Sequence, residues 1–142
     1  ELRRETVIIK EKDIKIEFNE NNKVNVFADE EYIQQVISNY LTNAIKHVEE
    51  RNGTKKIIIR TEERDDKVRL YVYNTGENID EEYINKIWGR FYKIDSSRNR
   101  NEGGTGIGLA LVRAIMNNYD NKYGVKNYED GVEFYCDINK KI

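Results

Sequence analysis

Apolar residues recur along this chain with two different spacings, and the switches between them mark out the elements. Every second position is apolar at Ile14, Ile16 and Phe18, and again at Val24 and Val26 beyond the polar stretch Asn19-Glu20-Asn21-Asn22, which predicts a β-hairpin. At Asp29, placed to cap a helix, the period lengthens. Ile33, Val36, Ile37, Tyr40, Leu41, Ala44, Ile45 and Val48 fall on one face of a helix running to about Glu50, with Glu30 and Glu31 in the first turn where negative charge suits the dipole. Alternation returns over 56–61 and 68–73, predicting a second hairpin that turns between Glu63 and Asp66. A short helix is predicted over 80–88. Ile107, Ala110, Leu111, Ala114 and Ile115 then line the expected buried face of a helix from Gly106 to about Asn118. Two last strands, 123–128 and 132–138, meet at the turn Glu129-Asp130-Gly131. This order predicts an α+β fold: a two-layer α/β sandwich whose mixed, mostly antiparallel sheet is covered on one face by helices.

Composition narrows the picture. A chain of 142 residues with 35% charged and 38% hydrophobic positions suits one domain spanning 1–142. The net charge of −2, with the two signs intermixed, leaves no basic field to hold a nucleic-acid backbone, so no nucleic-acid partner is expected. No apolar run approaches the roughly 18 residues of a membrane span, and this piece is not expected to insert into a membrane. One Cys and one His build neither a disulfide framework nor a zinc cluster, and Cys136, in step with Val132, Phe134 and Ile138, reads as a core residue. The chain begins at Glu1-Leu2 without a methionine, and the expectation is a piece excised from a longer protein.

Candidate chemistry lies in the polar positions that the pattern leaves over. Gly103, Gly104, Gly106 and Gly108 precede the last helix, where bare backbone and free N–H groups can approach a phosphate, although glycine clusters also serve plain turns. Asn39, Asn43, Lys46 and His47 form a second stripe on the first long helix, beside its apolar face. Asparagine is a poor helix former, but its carbonyl is a hard oxygen suited to Mg²⁺; the competing reading is a solvated flank. Asn74-Thr75-Gly76-Glu77-Asn78-Ile79 breaks the strand before it, where a polar side chain can face a bound base or simply make a turn. Residues 95–102 contain no apolar position at all and include Arg98 and Arg100, the composition of a lid or of an ordinary surface loop.

Taken together, these stretches resemble the ATP-binding catalytic domain of two-component sensor histidine kinases, in the wider group shared with gyrase, Hsp90 and MutL. The resemblance covers the chain from about Ile14 to Ile138. Asn39-x-x-x-Asn43-Ala44-x-Lys46-His47 resembles the N box, Asn74-x-Gly76-x-Asn78-Ile79 the G1 box, Trp88 to Tyr92 the F box, and Gly104-Thr105-Gly106-Ile107-Gly108-Leu109 the G2 box. The resemblance implies the Bergerat-type ATP-binding fold, ATP and Mg²⁺ as cofactors, Asn43 as metal ligand, and Asn39, Lys46 and His47 near the phosphates. It also implies Phe91, Tyr92 and Lys93 at the nucleotide, with Lys93 at a phosphate-contacting basic position, and catalytic duty for Asn39, Lys46 and Lys93. The implied partners are a separate helical dimerisation domain bearing the acceptor His, and a response regulator. The implied setting is a cytoplasmic domain of a membrane-anchored parent.

Three departures from the family pattern stand out. Asn74 replaces the usual Asp that accepts from the adenine amino group, and a neutral acceptor bonds more weakly. Asn78 replaces a glycine and is expected to take positive φ; Asp120-Asn121 replaces a glycine pair. At Asn39 the ATPases and anti-sigma serine kinases of the group carry a Glu base, and Asn has no basic lone pair to activate water or a hydroxyl. The chain is therefore expected to act as a histidine kinase catalytic domain, the alternatives being a serine kinase or ATPase of the same fold, or a degenerate scaffold.

Overall fold

The computed structural model describes residues 14–19, 30–89 and 108–139. Five strands form one sheet: β1 (Ile14–Asn19), β2 (Lys55–Arg64), β3 (Lys67–Thr75), β4 (Tyr123–Tyr128) and β5 (Gly131–Asn139), in the order β1-β2-β3-β5-β4. The predicted α+β sandwich holds. β1 runs parallel to β2 and the other neighbours are antiparallel, so the sheet is mixed and mostly antiparallel. The expected partner of β1 in a hairpin, around Val24 and Val26, lies outside the described residues.

Alternation gives β2, β3 and β5 two unlike faces. Ile57, Ile59, Val68, Leu70, Val72, Val132, Phe134, Cys136 and Ile138 are buried beneath two helices, α1 (Glu30–His47) and α2 (Gly108–Asn118). Helix α1 presents Val36, Tyr40, Leu41, Ala44 and Ile45 to this core, as its spacing predicts. Tyr40 is buried to 1% exposure; its hydroxyl donates to the Tyr135 carbonyl at 2.8 Å and its ring meets Phe134 and Trp88. Trp88 packs edge-on against Tyr123 at 4.8 Å and belongs to the core.

The opposite face carries no helix among the described residues and is closed by its own side chains. The Arg60 guanidinium sits 3.5 Å over the Tyr71 ring, and Arg69 grips Asp137 through two bonds of 2.6 and 3.1 Å while lying over Tyr135. Glu133 and Asp137 are buried under this cover, each paired with an arginine that repays its desolvation.

Four expectations need correction. The buried stripe of α2 is Val112, Ile115 and Met116, with Leu109 packed beside it, whereas Leu111 and Ala114 are exposed. A helix this apolar carries two overlapping stripes, and tertiary packing selected the other one. Residues 80–88 form a 3-10 turn at Glu81–Tyr83 followed by further turns; Asp80 makes no side-chain cap, and Ile87 and Trp88 are buried while Tyr83 and Ile84 are only partly so. The hairpin between β4 and β5 turns on Glu129-Asp130 alone, with Gly131 paired to Tyr128 as the first residue of β5. α1 stops at His47, three residues short of Glu50, because the Glu49 N–H is drawn to the Thr75 carbonyl at 2.8 Å. The corner at Asp120-Asn121 survives without glycine: Asp120 takes φ 55°, and the Asn121 N–H closes on the Met116 carbonyl at 2.8 Å, a Schellman-type end to α2.

Burial raises the Cys136 thiol from 9.0 to about 12. Its contribution is therefore present in full below pH 9.0 and is lost as pH rises from there towards 12, since only the unfolded thiol ionises in that window. Chemical denaturation across pH 8–11 is expected to show stability falling on the alkaline side. A thiol reagent at pH 8 should leave the native protein unlabelled and label it on unfolding.

Candidate functional site

The carboxyl end of β3, the second half of α1 and the start of α2 converge. Asn74 is the last helix-facing residue of β3, paired with Ile57 and Val132, and is 1% exposed. Its Nδ2 donates to the Thr75 carbonyl at 3.1 Å, and its Oδ1 is the one buried side-chain N or O among the described residues without a hydrogen-bond partner. Such an acceptor costs about 1–3 kcal/mol unless something donates to it. A ligand N–H donor is the fitting occupant.

The chain then turns at Gly76, whose φ of 146° disfavours any side chain. A Cβ there would lie 3.1 Å from the His47 carbonyl oxygen and 3.2 Å from Glu49 Oε1, so the turn rests directly on the exit from α1. Thr75 Oγ1 donates to the Glu49 carbonyl at 2.7 Å and accepts from the Lys56 N–H at 3.0 Å. Glu49 Oε1 accepts from the Glu77 N–H at 2.8 Å.

Asn78 does not take positive φ, contrary to expectation. Its Nδ2 instead donates to the carbonyls of Tyr128 and Gly131, at 2.8 and 2.9 Å, tying the segment to the β4–β5 hairpin. Ile79 is buried and held by Asn127, which accepts from its N–H at 3.0 Å and donates to its carbonyl at 2.8 Å. Asn127 and Glu49 were not among the candidates. An Asn inside a strand, where propensity disfavours it, was the available signal for the first; an exposed Glu after a helix carried none.

Across the site, Asn39 and Gly108 touch: a Cβ on Gly108 would lie 3.1 Å from Asn39 Oδ1. The amino end of α2, with its free N–H groups, thus opens beside the polar stripe of α1. Asn39, Asn43 and Lys46 are partly buried on that stripe, His47 is exposed, and Leu109 packs against the core. Phe91, Tyr92, Lys93, Gly104, Thr105, Gly106 and Ile107 lie outside the described residues. Among the described residues no group of three or more His, Cys, Asp or Glu gathers; Asn43 offers a hard carbonyl oxygen of the kind a magnesium shell takes. An orphaned acceptor at one end and a helix N-terminus at the other fit a nucleotide with its base at Asn74 and its phosphates at Gly108.

Comparison with known proteins gives the family of the chain. The family described as histidine kinase-, DNA gyrase B-, and HSP90-like ATPase matches residues 28–141. The sensor protein VanSB of Enterococcus faecalis is 34% identical over 113 residues, which cover 80% of this chain and 25% of that protein. The nucleotide-free catalytic domain of the histidine kinase ThkA superposes with a TM-score of 0.79 at 33% identity, over 97% of this chain and 89% of that one. ThkA in complex with the response regulator protein TrrA gives a TM-score of 0.71 at 31% identity, over 99% of this chain and 39% of that one. This chain therefore spans about a quarter of the curated relative's length.

Asn127→Ala removes both bonds to Ile79 and is expected to cost about 2 kcal/mol. Urea denaturation should show that loss together with faster amide exchange at Ile79; a loss below about 0.5 kcal/mol would mean that the segment is held by packing instead.

Proposed function

This chain belongs to the histidine kinase-, DNA gyrase B- and HSP90-like ATPase family, and from that premise we propose that it binds Mg-ATP and passes the γ-phosphoryl group to a histidine on a separate helical dimerisation domain of its parent. That histidine would in turn supply an aspartate of a response regulator. The observation carrying the reading is the buried, unmatched Asn74 Oδ1 at the end of β3, an acceptor suited to the adenine amino group.

Phosphoryl transfer asks a protein chiefly for positioning and charge neutralisation. In this reading Asn74 orients the base, the turn at Gly76 seats it, and Asn39 with the amino end of α2 flanks the phosphates. Asn43 would hold the magnesium ion, which when bound would neutralise phosphate oxygens, and Lys46 and Lys93 would add positive charge. Asn39 offers no basic lone pair, so the chain holds ATP without activating water. A histidine acceptor needs no such base, because its imidazole is itself the nucleophile. The ThkA–TrrA complex supports a response regulator as partner of the parent. No helix among the described residues is long and apolar enough to cross a membrane; in this reading the domain is cytoplasmic and its anchor lies elsewhere in the parent.

Mixed with the helical portion of its parent and labelled ATP, the chain is expected to produce acid-labile phosphohistidine, and Asn43→Ala should cut the yield by at least about a hundredfold. Rapid hydrolysis of ATP by the chain alone would contradict the assignment. Asn74→Asp is expected to tighten ATP binding about fivefold through a charge-assisted bond, measured by calorimetry. Unchanged or weaker binding would count against the base contact.

A further inference from the structure

An asparagine can offer a ligand either its carbonyl oxygen or its amide N–H, so a buried Asn discriminates between bases only if its amide is fixed. At Asn74 the fixing group is the next peptide: Nδ2 donates to the Thr75 carbonyl, and a turned amide would set two acceptor oxygens against each other. That carbonyl is itself anchored. It accepts the Glu49 N–H at 2.8 Å, while the Thr75 hydroxyl donates to the Glu49 carbonyl at 2.7 Å and takes the Lys56 N–H at 3.0 Å. Thr75 is 7% exposed, and the Glu49 carboxylate holds the following turn through the Glu77 N–H. One residue thereby joins the exit of α1, the start of β2 and the orientation of the Asn74 amide.

We propose that Thr75, braced by Glu49, is a specificity-determining positioning residue: it keeps the Asn74 oxygen turned toward the ligand, so that the site accepts purines with an exocyclic amino group there and disfavours those with an oxygen. The inference rests on the reading that Asn74 meets the base of a nucleotide. A carboxylate at position 74 would need no such brace, because both its oxygens accept. The brace matters because this chain carries an amide.

The test is calorimetric titration of the chain with Mg-ATP and with Mg-inosine triphosphate, whose base carries oxygen in place of the amino group. The wild type is expected to prefer ATP, and Thr75→Val, which keeps the shape and deletes the hydroxyl, should narrow the ratio of the two Kd values about tenfold. Thr75→Ser should restore it. In the Asn74→Asp background Thr75→Val should leave the ratio unchanged, an outcome that a merely structural threonine would not single out. Should Thr75→Val fail to fold, Thr75→Ala, which also deletes the hydroxyl bond to the Glu49 carbonyl, is read in its place, with the same narrowing expected. An unaltered ratio in a folded Thr75→Val protein that still binds ATP would overturn the inference and leave the nucleotide reading intact. Failure of the wild type to bind either nucleotide would sink both.

Discussion

A single buried oxygen, Asn74 Oδ1, sets the terms for the rest of the site. Burying an acceptor without a partner is unfavourable, and a fold tolerates it only where the surroundings hold the group rigidly. Here they do: Asn74 sits in the middle of the sheet between Ile57 and Val132, its other amide atom bonded to the adjoining peptide. The stability spent there is recovered when a donor arrives, which is the physical sense in which the apo fold is prepared for a ligand.

Helix α1 is used twice. Its apolar face, centred on Val36, Tyr40, Leu41 and Ala44, supplies the core that holds the sheet, and the adjoining stripe from Asn39 to His47 lies beside the start of α2. The two roles are inseparable, since the packing of Tyr40 and Leu41 sets the rotation that aims Asn39 at Gly108. Just beyond its end, the Glu49 peptide bonds to Thr75 and joins the exit of the helix to the strand end carrying Asn74. The strand end carrying Asn74 and the amino end of α2 are thus referenced to one rigid rod.

Much of this was legible in the residues. Strict alternation placed β2 to β5 within a residue or three of their ends, and Asn39, singled out beside an apolar helical face, lies against Gly108 at the start of α2. Other features resisted, for identifiable reasons. Ile115 is buried as its spacing implies, but periodicity could not choose between Ala110, Leu111 and Ala114 on one side of it and Val112 and Met116 on the other, because α2 is apolar over both and only the partner surface decides. Parallel pairing of β1 with β2 leaves no local mark, unlike a tight turn. Asn78 was expected to serve through its backbone and serves through its side chain, a choice made by the distant carbonyls of Tyr128 and Gly131. The bracing by Glu49 and Thr75 joins residues 26 positions apart, which no local pattern encodes.

In the proposed function the unmatched Asn74 oxygen receives the amino group of a nucleotide base. A crystal structure of the chain with a non-hydrolysable ATP analogue measures this directly. The base amino nitrogen is expected at about 3 Å from Asn74 Oδ1, with the triphosphate running towards the amino end of α2. A base seated elsewhere, or bound with the Asn74 amide turned to present its nitrogen, would contradict it.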